Sequence, residues 1–279
     1  MRKVFIDGGA NLGQSAEAFC SGQSDAEEYE IFCFEPSQDE MNLLKPLRNK
    51  LAKLEEQVKE ITLINKTIWI EDGEVTFYDK GTESNSIIFR DQFINNPNVK
   101  KITVESVNFS KWIQDNFTKD DHIILKLDIE GAEYEVFNQL CEDGIITWFD
   151  KIYAEIHGIK CGKTYKESIE MISEVNSYDK EIYIWNNLDK FGTKEWSDTK
   201  YDNELIQKEF ILWYKRHISK AAERGFRIPY NIPLEALHIL VEDIVKNECL
   251  SADFMITNSN SRFNLELNSE KPTMTISKY

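Results

Sequence analysis

The sequence predicts an α/β fold, with an open, mostly parallel sheet covered by helices on both faces and a helical insert before the last strand. Three observations predict it. Short, nearly continuous apolar runs recur along the chain, helix-like segments separate them, and several runs end in glycine, proline or an acid. The length of 279 residues, with 41% apolar and 12% aromatic residues, suits one enlarged globular domain or two small ones.

The first run, Lys3–Asp7, leads through glycines into a helical stretch from Asn11 to about Phe19. Glu30–Pro36 is the second. Ser37 and Glu40 then read as a capping box, opening a helix to about Val58 that Pro46 interrupts. Ile61–Asn65 is a strand, and Thr67–Asp79 reads as a hairpin turned at Asp72-Gly73. A strand at Ile102–Phe109 and a short helix at Ser110–Asn116 precede the strand Ile123–Asp128 and a helix to about Glu142. The strand Lys151–His157, a helix from Tyr165 to Val175 and the strand Glu181–Asn186 complete the alternation. The expected core is 1–190, completed by a strand at 251–258. A helical cap is expected at 191–250 and a C-terminal tail at 259–279.

Ligands of open α/β sheets bind off the carboxyl ends of the strands. Those ends here are Asp7, Glu35, Asn65, Asp128 and the pair Glu155 and His157. The loop Asp7–Gly13, DGGANLG, is spaced D-x-G-x-N-x-G rather than G-x-G-x-x-G. An acid closing the strand suits a ligand with a positive group and suits a pyrophosphate poorly. Gly9 and Gly13 permit positive φ, which Asn11 also tolerates. Glu35 stands where a carboxylate can accept both hydroxyls of a ribose. Asp7, the glycine loop and Glu35 together describe S-adenosylmethionine, which offers an ammonium, a sulfonium and a ribose diol.

FIDGGANLG, FEPS and LKLDIEGAE, in that order, resemble the FkbM-type S-adenosylmethionine-dependent methyltransferases, and LINKTIWIEDGEVTFY resembles that family's next strands. The resemblance runs from about Val4 to His157. It implies a class I methyltransferase (Rossmann-like) fold and O-methylation of hydroxyls on sugars, glycans or related metabolites. By position it implies that Asp7, Gly8, Gly9, Asn11, Gly13 and Gln14 serve the methionine end. Glu35, Pro36 and Ser37 would serve the ribose, Asn65 or Thr67 the adenine, and Asp128 the methyl end. Gly8 replaces a small β-branched residue that is usual in the family, a change expected to be harmless. The first strand begins at Lys3, and the segment that many relatives carry over the substrate pocket is expected to be lacking.

A sugar hydroxyl needs its proton taken up before it attacks a methyl sulfonium. Asp128 is the first candidate, with Glu130, Glu155, His157 and Lys126 beside it. Lys126 shares the face of Asp128 and is expected either to neutralise the acids or to reach the site. Glu133 and Glu135 read as solvated acids of a helix's first turn. Catechol-type O-methyltransferases hold a divalent metal at these two strand ends, and by that analogy Asp128 with His157 or Glu155 is a candidate pair.

Lys and Arg total 33 against 49 Asp and Glu, a formal charge of −16, which disfavours nucleic acid as a partner. No run is long and apolar enough to span a membrane. Five scattered cysteines without CxxC spacing fit free thiols, and a cytoplasmic protein is expected. In the insert, Arg216, Lys220 and Arg224 fall on one helical face, suited to an acidic or phosphorylated substrate, and the insert is also a candidate oligomer contact. N-methylation of a small molecule and a non-catalytic cofactor-binding module are the alternative functions.

Overall fold

The computed structural model describes residues 1–80, 85–90, 93, 97–158, 161–185, 199–206, 208–210, 254–258, 261–267 and 274–278. In chain order the elements begin with β1 (Lys3–Gly8), α1 (Gln14–Gly22), β2 (Tyr29–Phe34), α2 (Lys45–Leu54) and β3 (Glu60–Ile64). Then come β4 (Thr67–Trp69), β5 (Gly73–Asp79), β6 (Lys100–Asn108), α3 (Phe109–Asn116), β7 (His122–Leu127) and α4 (Glu133–Glu142). β8 (Phe149–Ala154), α5 (Tyr165–Ser177), β9 (Ile182–Ile184), β10 (Phe254–Asn258), β11 (Ser261–Leu267) and β12 (Met274–Lys278) follow.

The main sheet is parallel throughout, in the order β3-β2-β1-β7-β8-β9. Strand order reverses beside β1, so a crevice opens at the carboxyl ends of β1 and β7. From Val4 to Gly8 and from Ile123 to Leu127 every residue is buried, because helices cover both faces. On one face Phe5 stacks on Phe19 of α1, with ring centroids 4.2 Å apart, and Leu47, Leu51 and Leu54 of α2 join that core. On the other face Phe34 meets Trp112 of α3 edge-on at 4.9 Å. Each such fully buried side chain contributes about 1.5–3 kcal/mol through its removal from water.

Several local expectations change. The Thr67–Asp79 segment is not a hairpin, because β6 lies between its two strands, parallel to β4 and antiparallel to β5. The Ser106 hydroxyl donates to the Glu71 carbonyl at 2.9 Å, and Asp72 Oδ1 accepts from the Asn108 amide at 3.0 Å. The turn therefore bonds to β6 instead of closing on itself. After β2 the helix cap is Asp39, whose carboxylate accepts from the Asn42 amide at 2.9 Å. Ser37 is instead spent inside the loop, its hydroxyl accepting from the Asp39 amide. The expected break near Pro46 is present as a change of helix: the π-helical turn Glu40–Leu44 that Asp39 caps gives way to α2, and Pro46 sits in the first turn of α2, where a missing N–H costs little.

The chain divides into two compact units, 1–161 with 170–201 and 162–169 with 202–279. The strand expected at 251–258 to complete the core instead joins β11 and β12 in a separate antiparallel sheet, β10-β11-β12. Only two residues separate β10 from β11, a length that favours hairpin pairing over a return to a distant sheet. The expected tail at 259–279 likewise contains two strands. Most of the expected cap at 191–250, with its basic stripe, lies outside the described residues; 203–206 and 208–210 are helical. Among the described residues no helix is long and apolar enough to cross a membrane.

The crevice depends on close approach between two loops. Gly9 has φ +81°, and a Cβ there would lie 1.9 Å from the Asp128 carbonyl oxygen. Gly9→Ala is therefore expected to cost about 3 kcal/mol, combining strain with forced separation of the loops. Urea unfolding monitored by circular dichroism measures it, and a change within about 0.5 kcal/mol refutes the packing argument.

Candidate active site

An open cleft lies at the carboxyl ends of β1, β2 and β7. Gly9, Asn11, Glu35, Pro36 and Thr67 line it together with Asp128 and Glu130, and Phe34, Leu43, Ile68 and Phe77 supply an apolar wall.

The glycine loop is shaped by its own backbone. Gly9 and Ala10 donate their amides to the Phe34 carbonyl at 3.1 and 2.9 Å, which bends the chain over the end of β2. Asn11, at φ 47°, and Gly13, at φ 79°, then turn it into α1 through the left-handed region. Glu35 is buried, and its two carboxylate oxygens are divided between two loops. Oε2 accepts from the Asn11 amide at 2.9 Å, and Oε1 accepts from the Ser37 amide at 2.9 Å. Burial raises the Glu35 pKa, with those amides acting against it. Each oxygen keeps a lone-pair site for a ligand hydroxyl.

Beneath the loop lies Lys126, fully buried. Its ammonium donates to the carbonyls of Gly8 at 3.1 Å and Gly9 at 2.9 Å and stands 3.0 Å from Asp7 Oδ1. Burial pushes the Lys126 pKa down, but Asp7 and Asp128 outweigh it and hold the group above its ordinary range. Asp7, also fully buried, is not part of the cleft wall.

The second half of the cleft is acidic. His157 is buried with Nδ1 donating to Glu133 Oε1 at 3.1 Å. Its Nε2 faces Glu155 Oε1 at 3.3 Å and both Asp128 Oδ1 and Glu130 Oε1 at 3.8 Å. Burial opposes the His157 charge, yet these carboxylates, Glu133 foremost, raise its pKa well above the ordinary value. Asp128 is pushed up to about 7, first by burial and then by Glu155 and Glu130, against Lys126 and His157. Glu130 adopts φ 56°, and its carbonyl accepts from the Ser86 hydroxyl at 2.7 Å, from Arg90 and from the Cys161 thiol at 3.6 Å.

A family model for the methyltransferase FkbM domain matches residues 7–182, well over half of the chain. The chain belongs to the FkbM methyltransferase family. No curated protein matches it. A crystal structure of methyltransferase FkbM from Methylobacillus flagellatus KT is similar over 51% of this chain and 30% of that one, with 16% identity and a TM-score of 0.32. In that match this chain spans under a third of the other protein's length.

The methyl donor that the FkbM family implies, S-adenosylmethionine, fits this cleft on two observations. Glu35 offers two positioned acceptor oxygens, and Asp128 and Glu130 on the same wall complement a cationic ligand. The other residues expected in the FkbM cofactor set divide into wall and scaffold. Pro36, Thr67 and Asn11 line the cleft. Asn65 does not; its amide nitrogen donates to the Glu35 carbonyl at 2.7 Å and the Ser37 carbonyl at 3.0 Å, bracing the acid's loop. Gln14 Oε1 accepts from the Leu12 amide at 3.1 Å, and Gly13 is the N-cap of α1. Gly8 is packed so closely that a Cβ would meet Leu127 Cδ2 at 2.7 Å and Ile68 Cδ1 at 2.9 Å.

Glu133 overturns the expectation of a solvated helix acid, since it is fully buried. Oε1 accepts from the Ile129 amide at 2.9 Å, and Oε2 accepts from the Gly131 amide at 2.8 Å. Burial raises its pKa, but His157 and these bonds win and hold it below the ordinary carboxylate range. The only signal in the sequence was its place two residues after Gly131. Ser86, Arg90 and the cleft residues Asn85 and Ile87 come from a stretch without periodicity and were not anticipated.

Glu133→Gln puts an amide N–H against a backbone donor and breaks the buried pair with His157. The expected loss is about 3 kcal/mol. A urea midpoint unchanged within error refutes the buried-pair assignment.

Proposed function

We propose that the chain is an S-adenosylmethionine-dependent methyltransferase acting on a hydroxyl of a sugar, glycan or related metabolite. One observation carries this reading. A single cleft contains Glu35, preset by the amides of Asn11 and Ser37, together with Asp128 and Glu130. When bound, the cofactor supplies a methyl group made electrophilic by its sulfonium. Glu35 accepts from the ribose hydroxyls with the lone pairs that the backbone leaves free. Phe34, Ile68 and Phe77 give the same cleft an apolar wall.

Asp128 is the acid placed to take the acceptor's proton. Its side chain is 20% exposed on the cleft wall, whereas that of His157 is 2% exposed. Lys126 donates to the Gly8 and Gly9 carbonyls and pairs with Asp7 at 3.0 Å, so it serves as counter-charge and loop anchor. A base beside the reacting atom is what a hydroxyl requires and a neutral amine does not. The acid-rich wall also favours a neutral polyol over an acceptor with an anion next to the reacting oxygen.

Isothermal titration calorimetry is expected to show binding of S-adenosylmethionine and none of NAD. Glu35→Ala should weaken that binding by about 1.5–3 kcal/mol, the range for charge-assisted hydrogen bonds. No S-adenosylmethionine binding at millimolar concentration defeats the reading. In a mass-spectrometric screen of glycans, nucleotide sugars and simple polyols, one class should gain a methyl group. Asp128→Asn should abolish that transfer while the cofactor still binds, and undiminished turnover removes Asp128 from the mechanism.

A further inference from the structure

We infer that Asp128, Glu130 and His157 form a binding site for one divalent cation of the manganese class, at the acid-rich side of the cleft. One ligand atom from each of the three lies within 4.8 Å of the others. The way the carboxylates are held makes this more than a group of acids. Glu130 commits Oε2 to Arg90 at 2.7 Å and turns Oε1 toward His157 Nε2 at 3.8 Å. Asp128 turns Oδ2 toward Lys126 at 3.8 Å and Oδ1 toward the same Nε2, also at 3.8 Å. Each acid thus faces a permanent cation with one oxygen and directs the other to a common point.

Those 3.8 Å separations are too long for hydrogen bonds. They fall between the two spacings that bonds of about 2.2 Å to one ion impose, about 3 Å for neighbouring ligands and about 4.4 Å for opposite ones. The imidazole is set for the same purpose. Nδ1 is fixed on Glu133, and Glu133 is fixed in turn by the Ile129 and Gly131 amides, so Nε2 is turned toward Glu155 at 3.3 Å and the two acids at 3.8 Å, where a bound ion takes the place of its proton. A carboxylate behind a ligating imidazole is the usual outer support of a metal site. Glu155, its side chain 38% exposed and with Oε1 3.3 Å from Nε2, supplies a further oxygen.

Charge points the same way. Asp7, Asp128, Glu130, Glu133 and Glu155 crowd around two permanent cations, Lys126 and Arg90, and the His157 ring. A dication brings this group close to balance, and Asp128 and Glu130 line the open cleft through which it enters. Oxygen ligands suit magnesium, calcium and manganese, whereas imidazole suits the transition metals, so Mn²⁺ satisfies both. Because Asp128 and Glu130 line the cleft, an ion held there would make an acceptor hydroxyl bound beside it more acidic. That last role rests on the methyl-transfer reading; the site itself does not.

The test is titration of the EDTA-treated, desalted full chain with Mn²⁺ alone, following loss of the free-ion electron paramagnetic resonance signal. One ion per chain is expected. His157→Ala and Glu130→Gln should each abolish saturable binding, and Glu133→Gln should weaken it about 10–100-fold. Glu56→Gln, on an exposed acid away from the cleft, should leave it unchanged. Circular dichroism confirms that each variant is folded, and two independent ligand variants guard against the failure of one to fold. No saturable binding, or binding that survives both His157→Ala and Glu130→Gln, overturns the site. Calorimetry with S-adenosylmethionine on the same samples separates the two readings. Cofactor binding without Mn²⁺ binding refutes the metal site alone, and Mn²⁺ binding without cofactor binding refutes the methyl-transfer reading alone.

Discussion

One ammonium group underlies the arrangement of the cleft. Lys126 is buried in the middle strand pair of the sheet, where isolated charge is expensive, and it is tolerated because Asp7 and two loop carbonyls surround it. Asp7 and Lys126 are facing register partners of β1 and β7. Their pairing therefore joins the strand that starts the glycine loop to the strand that delivers the acids. Gly9 completes the junction, since its backbone packs onto the Asp128 carbonyl without a side chain between them. The Glu35 side and the Asp128 side of the cleft are consequently joined through one buried ion pair and one close backbone contact.

A similar economy governs the carboxylates. Glu35 joins two loops with its two oxygens, and Glu133 joins the 129–131 turn to His157. Both acids are structural struts: Glu35 lines the cleft, and Glu133 fixes the buried His157. Half-satisfied buried acids are costly, and here the backbone amides of tight turns meet most of that cost. The acids that line the cleft are thus backed by acids and amides that do not.

The parallel core was legible because strands buried on both faces read as unbroken apolar runs, as in Lys3–Ile6 and Ile123–Leu127. Glu35 and Asp128 were legible because a strand's end points to the crevice. Glu133 was not, since an acid in a helix's first turn has a sufficient local explanation in the helix dipole and nothing local reveals its burial. Arg90 and Ser86 escaped for a different reason. Their function is to bond a carbonyl forty or more residues away, and no periodicity encodes such a contact. Strand partnership failed in the same way: β4, β5 and β10 are strands as expected, but their partners are set by tertiary packing rather than by neighbouring sequence.

The short segment 85–90 divides its labour by position. Ser86 and Arg90 hold the Glu130 carbonyl, while Asn85 and Ile87 line the cleft. Residues that fix the acids therefore alternate with residues that meet whatever enters. Exchange at 85 and 87 can redraw the pocket's lining while the geometry of the acids is preserved by their neighbours. A lineage built on this scaffold is free to diversify in what it accepts without rebuilding how it reacts.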